Sequence, residues 1–340
     1  MSEQKDVDSL YPMTFQPVYK DIVWGGSRLR DRLGRADAPA RCAESWEIAD
    51  RPDGISIIRN GSLSGRALGE LIAPFGAALL GREAKSDRFP LLCKIIDARE
   101  RLSLQVHPDE MTARHFGGEP KTEMWVVLDA APGATIHAGL KAGMTLETVK
   151  SALRNGSLAD ALISFPVKSG DAIFIPAGRV HAIGEGCLIF EVQQNSNTTY
   201  RLFDWDRIGS DGKPRDLHVE QALASIDWAD AGKAALAVPR LSLVDIHVGN
   251  RIWELVRSPC FVVERLDLSV SASFRPAHNS FHILFVEQGR MMVGCDGDNV
   301  EAVQGTTVLV PAETPEYTMF VEESPCRVLR VTYPDASSAQ

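Results

Sequence analysis

Apolar and polar positions alternate with period two in several short runs of this chain, and those runs read as β-strands. In Ser103–Asp109 (Ser-Leu-Gln-Val-His-Pro-Asp) the alternation puts Gln105 and His107 on one face of a strand. Leu104 and Val106 then point to the other face. Phe89–Asp97 is a buried-looking strand with Lys94 inside it, and that ammonium must find a counter-charge, a phosphate or a route to water. Cys187–Gln194 places Glu191 and Gln193 on a common face. Glu44–Ile48 alternates two carboxylates with Trp46 and reads as an edge strand whose Trp packs on the core. Helical spacing appears at Ser27–Leu33, over 67–81, and at Met144–Ile163, where Asn155-Gly156 interrupts the period. The last of these predicts a small helical insertion within a β framework. Residues 1–20 read as an extended arm, and 211–240 as polar and helical with a linker near Ala229–Arg240. Phe261–Leu266 and Phe281–Val286 are further strands.

Gly170–His181 adds a sharper pattern: an apolar strand, a Pro-Ala-Gly turn, then His181. It matches G-x5-P-x-G-x2-H, the second motif of cupin-type double-stranded β-helices, at every fixed position. Gly305–Glu316 repeats the G-x5-P-A portion, with Glu316 standing where His181 would be and no Gln-x-His pair before it. The expected fold is therefore mainly β: two cupin-type jelly-roll barrels with a small helical insertion at about 144–163. The expected domains are 1–240, carrying a metal site, and 241–340, a degenerate architectural barrel.

Bulk composition narrows the partners. The chain has 340 residues, 44% hydrophobic and 24% charged, with a formal net charge of −9, as expected of a globular protein of one large or two medium domains. The acidic balance offers no surface for a phosphate backbone, so nucleic acid is not an expected partner. An anionic small substrate is compatible with it, because a few local Lys or Arg residues suffice to bind one phosphate. Six widely spaced Cys without a C-x-x-C fit free thiols in a reducing compartment. The N-terminal residues do not read as a signal peptide, and no apolar run reaches membrane-spanning length, so the expected location is cytoplasmic and away from membranes.

The candidate chemistry is a metal site. Imidazoles from His107 and His181, the Glu123 carboxylate and the Gln105 amide oxygen are ligand types that suit Zn²⁺, although Gln is an uncommon ligand and serves equally well in a supporting hydrogen bond. His115, His137, His218, His247, His278 and His282 have no ligand partner at a motif spacing, and ordinary packing or surface roles are expected of them.

Taken together, Trp24-Gly25-Gly26, Glu44–Glu47, Ser103–Asp109, Lys121–Trp125, Pro176–His181 and Glu191–Arg207, in that order, resemble the type I phosphomannose isomerases in their short bacterial form. The resemblance runs over almost the whole chain. It implies one zinc per chain held by Gln105, His107, Glu123 and His181, with Arg201, Glu191 and Lys121 as active-site groups. Lys94 and Ser103 match positions near the phosphate end of the substrate in the family. It further implies interconversion of mannose 6-phosphate and fructose 6-phosphate by proton transfer through an enediolate. Glu191 or Lys121 would be the base, Arg201 the cation beside the enediolate or the phosphate, and Lys94, Lys121 and Arg201 the candidate phosphate ligands. The chain departs from the family at Asn197, where Asp is usual, and lacks the large helical domain of the longer enzymes. Two other classes fit parts of the pattern. A non-catalytic sugar-phosphate-binding bicupin would keep the barrel without turnover, and a mononuclear iron dioxygenase would show more His at the site.

Overall fold

The structure, a computed structural model, describes residues 9–82, 86–209, 212–237, 239–245 and 249–334. The chain divides into two compact units, one of residues 19–46 and 91–238, the other of 1–18, 47–90 and 239–340.

Eleven strands build the first framework: β1 (Val18–Lys20), β2 (Glu44–Ile48), β3 (Leu91–Ala98), β4 (Leu104–Val106), β5 (Glu123–Ala130), β6 (Thr135–Leu140), β7 (Leu162–Pro166), β8 (Ala172–Ile175), β9 (His181–Ile183), β10 (Cys187–Gln194) and β11 (Tyr200–Phe203). They form a six-stranded sheet in the order β8-β5-β10-β3-β2-β1 and a five-stranded sheet in the order β7-β6-β9-β4-β11. Inward residues of both sheets meet in one core that includes Ile96, Trp125, Ile136, Ile175, Ile183 and Ile189. The fold is the cupin-type β-barrel that the strand pattern predicts. Leu104 and Val106 point away from that core, as their alternation with Gln105 requires. They join Val149, Leu158 and Leu162 in a second cluster beneath the helical insertion.

That insertion is the helix Leu146–Arg154, a 3-10 turn at Leu158–Ala161, and the start of β7. Thr145 caps the helix by accepting from the Thr148 backbone N–H, and Asn155 ends it. Elsewhere the helices are shorter than their spacing suggests. Ser27–Leu33 contracts to Arg28–Asp31, and 67–81 becomes a 3-10 turn at Leu68–Leu71 running into the helix Ile72–Leu80. Within 211–240 the helical residues are Val219–Ser225 and the turn Trp228–Asp230. The stretch expected to be a linker is partly strand-like, because Phe174 N donates to Ala235 O and Ala237 N to Ala172 O along β8. The reading of Glu44–Ile48 as an edge strand is corrected: β2 lies between β3 and β1.

In the other unit the C-terminal strands form an eight-stranded antiparallel sheet over a core that includes Leu284, Val293, Val308, Tyr317 and Val328. Among the described residues, 9–18, 47–82 and 86–90 complete this unit rather than forming a free arm. Met13 and Leu309 exchange both backbone hydrogen bonds, and the rings of Phe89 and Phe281 lie 4.6 Å apart. Glu316, at the position equivalent to His181, is half exposed and paired with Arg275 at 2.7 Å. Among the described residues, no helix is long and apolar enough to cross a membrane.

Candidate active site

Strand register assembles the site. Gln105 on β4 stands opposite His181 on β9 and, on its other side, opposite Arg201 on β11. In the facing sheet Glu191 on β10 stands opposite Lys94 on β3 and Trp125 on β5. His107 lies one residue beyond the end of β4, and Asp109 then caps the helix Glu110–Phe116 by accepting from Thr112 N at 2.8 Å. The Gly178 turn fixes His181. Gly178 has φ +86, donates to His107 O at 2.9 Å and accepts from Asp227 N at 2.9 Å. A Cβ at Gly178 would come within 2.8 Å of Asp227 Cβ, which is why the motif requires glycine here.

Both imidazoles are oriented by backbone carbonyls. His107 Nδ1 donates to Thr198 O at 2.9 Å and His181 Nδ1 to Arg179 O at 2.8 Å, leaving each Nε2 unprotonated, with its lone pair directed at the group. Those Nε2 atoms lie 3.2 and 3.3 Å from the two oxygens of Glu123. Burial and the nearby Lys121 ammonium push His107 down to about 3, and burial lowers His181 too, so both rings are neutral at pH 7. Glu123 is held well below the usual carboxylate range: burial works the other way, and the charge of the adjacent Lys121 ammonium leads the groups that outweigh it. His107 Nε2 and both Glu123 oxygens are buried and make no hydrogen bond. Two neutral imidazoles and a carboxylate whose lone pairs converge are a fitting donor set for a divalent transition metal. Among the described residues they are the one such group of three. Gln105 adjoins it, with Nε2 3.2 Å from His181 Nε2 and Oε1 accepting from Ser103 Oγ at 3.1 Å. Reversing the amide would turn Oε1 toward the group.

Beside this group lies a cleft of about 280 Å³. It brings together Gln105 with Lys94, Ser103, Lys121, Glu191 and Arg201, every non-metal site residue expected from the sequence. Lys94 neither snorkels nor stands alone: Glu191 Oε1 is 3.1 Å away and Glu44 Oε2 3.4 Å. Lys121 Nζ lies 2.8 Å from Glu123 Oε2 and 3.9 Å from Glu191 Oε1. Glu191 also accepts from Trp125 Nε1 at 2.9 Å. Burial and the Glu123 charge raise the Glu191 carboxyl above its ordinary value, against the pull of the two lysines. Glu44 and Arg215 also line the cleft, and sequence reasoning missed both. In the sequence Glu44 reads as part of an edge strand, and its reach to Lys94 follows only from the β3–β2 pairing. Arg215 lies in an irregular segment that carries no periodic signal. Asn197, the family departure, lines the cleft as well.

The family model for phosphomannose isomerase type I, catalytic domain, matches residues 13–146. Over 288 residues the chain is 39% identical to the mannose-6-phosphate isomerase of Streptococcus mutans, covering 84% of this chain and 88% of that one. The chain belongs to the mannose-6-phosphate isomerase family. A second member, the mannose-6-phosphate isomerase ManA of Bacillus subtilis, is 37% identical over 83% of this chain and 88% of its own length. The crystal structure of a mannose 6-phosphate isomerase from Bacillus subtilis superposes with a TM-score of 0.85 at 30% identity, covering 95% of this chain and 99% of that one. The barrel, the His-Glu-His group and the adjoining cleft are thus set in a family framework that spans most of the chain.

Among the described residues, the other histidines belong to no such metal-type group. His282 is buried against Tyr317, with Nδ1 and the hydroxyl 2.8 Å apart, and His137 and His218 contact Trp205 and Tyr200 respectively. His115 packs on Phe116, and the His278 backbone pairs with Arg82 and Ala312. The packing role expected of His247 lies outside the described residues.

Proposed function

We propose that the protein is a zinc-dependent aldose–ketose isomerase that interconverts mannose 6-phosphate and fructose 6-phosphate. The observation that carries this reading is the adjacency of a buried, convergent His107–Glu123–His181 group to a cleft containing both a carboxylate base and cationic side chains. Gln105, through Oε1, is the fourth candidate ligand. Zinc held there would polarise the oxygens at C1 and C2 of the sugar.

The chain's own groups perform the remaining steps. Glu191, kept poised by its burial, takes the proton from one carbon and returns it to the other. Trp125 Nε1 fixes the base by its hydrogen bond to Oε2, and Lys94 and Lys121 flank Oε1 at 3.1 and 3.9 Å, stabilising the carboxylate. Arg201 supplies positive charge where enediolate charge develops, and Ser103, which accepts from Arg201 Nε at 3.2 Å, holds that guanidinium in place. Lys94 and Ser103 contact the bound sugar. Residues 1–240 carry this chemistry, and the barrel in 241–340, with Glu316 in place of a ligand histidine, is architectural. Six free cysteines support residence in a reducing compartment, the cytoplasm.

Coupled conversion of mannose 6-phosphate to fructose 6-phosphate by the purified, zinc-loaded chain tests this reading. Turnover is the expected result. Tight sugar-phosphate binding without turnover would replace it with the non-catalytic bicupin.

A further inference from the structure

Charge is unevenly distributed along the cleft. At its metal end every ammonium is already matched: Lys94 lies between Glu44 and Glu191, and Lys121 pairs with Glu123. A phosphate dianion placed there would meet those carboxylates. The other end differs. Arg201 spends Nε on Ser103 Oγ and Nη1 on Asp216 O, and its Nη2 has no protein partner among the described residues. Arg215 binds Asp204 through Nε and Nη2, with Nε to Oδ2 at 2.7 Å, and its Nη1 is likewise unpartnered among the described residues. Asp204 is itself shared, because Arg207 Nη2 lies 2.5 Å from the same Oδ1. One carboxylate between two guanidiniums orients Arg215 without cancelling its charge. Asp216 is the other acid beside Arg201, so three guanidiniums face two carboxylates and this end stays cationic. Both Arg201 and Arg215 line the cleft, and Arg215 remains partly open to solvent, with a quarter of its side chain exposed.

We propose that Arg215, oriented by Asp204 and acting with Arg201, is the residue that binds the phosphate of the substrate and sets the preference for a phosphorylated over a free hexose. The inference rests on the isomerase reading and deepens it. Two rigid guanidinium edges suit the planar, multidentate recognition of phosphate oxygens. Ser103 joins this anchor to the metal end: its hydroxyl accepts from Arg201 and lies 3.1 Å from the side-chain amide of Gln105, two residues further along the chain. A hexose 6-phosphate gripped by the two arginines would then extend its C1–C2 end toward Gln105 and the metal group.

The test compares zinc-loaded wild type with Arg215→Met and Arg215→Lys. For Arg215→Met, KM for mannose 6-phosphate is expected to rise about tenfold or more, the scale of one lost charge-assisted contact, with kcat much less affected. The ratio of kcat/KM for mannose 6-phosphate to that for free mannose should fall in parallel, and competitive inhibition by inorganic phosphate should weaken by a similar factor. Arg215→Lys should recover part of each. Equal losses on the phosphorylated and free sugars, or an unchanged phosphate inhibition constant, would overturn the assignment and leave Arg215 a structural residue. Calorimetric titration of fructose 6-phosphate into wild type and Arg215→Met requires no turnover. Weaker binding by the variant would uphold the anchor even if the wild type failed to isomerise, and equal binding would overturn it even if the wild type turned over normally.

Discussion

Glu191→Gln isolates the proposed base. The substitution preserves volume and leaves the candidate metal ligands untouched, but it removes the charge that faces Lys94 at 3.1 Å and Lys121 at 3.9 Å. Removing one partner from a buried ion pair costs about 3–5 kcal/mol when nothing else remains. Here Lys94 keeps Glu44 at 3.4 Å and Lys121 keeps Glu123 at 2.8 Å, so the loss should be smaller, about 2 kcal/mol, within the reserve of a folded protein. The amide can also still accept from Trp125 Nε1. The variant should therefore fold and retain metal, while turnover falls about 10²-fold or more, equivalent to roughly 2.7 kcal/mol of transition-state stabilisation. The assay is coupled turnover in H₂O and D₂O, with thermal unfolding and metal analysis on the same preparations. Wild type should place deuterium at C1 of the ketose, because a proton on a carboxylate exchanges with solvent during the intermediate's lifetime. Complete retention of a C2 label by wild type together with a near-normal Glu191→Gln rate would refute both proton transfer and this base. A normal variant rate with exchange intact would refute Glu191 alone.

Three further outcomes are expected. His181→Ala should lose most of its metal and activity together, measured by metal analysis and turnover; a fully loaded variant would remove His181 from the ligand set. His282 is held down to about 3 by burial and the Arg330 charge, whereas an unfolded histidine titrates near 6.5. Its contribution to stability is complete above pH ~6.5 and is lost as pH falls toward the folded value, by at most about 1.4 kcal/mol per pH unit. Denaturant unfolding of His282→Gln should lack that slope, and an identical pH dependence would show that His282 is not buried neutral. Residues 239–340 expressed alone should not fold cooperatively, because they lose the Met13–Leu309 pairing and the Phe89–Phe281 contact; a sharp melting transition with dispersed amide resonances would contradict this.

How much was legible in the sequence follows from how local each signal is. His107, Glu123 and His181 sit in short patterns whose fixed residues have local backbone reasons, such as the glycine at 178, so both the barrel and the metal group could be anticipated. Glu191 and Gln193 were placed on one face by strand alternation alone. The partner of Lys94 was not legible, because it depends on β10 and β2 flanking β3, a matter of sheet order rather than of any run of residues. Glu44 was misjudged for the same reason. Arg215 reaches the cleft from an irregular segment anchored by Asp204, a contact that no hydropathy period encodes. The helices at 27–33 and 67–81 came out shorter because apolar spacing marks the buried face of a helix but not where its backbone hydrogen bonds end.

Zinc titration of chelator-stripped protein tests the central claim most directly. If His107, Glu123 and His181 hold the metal beside the base, turnover of mannose 6-phosphate should be abolished by stripping. It should then rise linearly with added zinc and break at about one equivalent per chain, the stoichiometry of a single site built on two histidines and a carboxylate. Full activity in metal-free protein, or zinc bound at one per chain with no turnover, would contradict it.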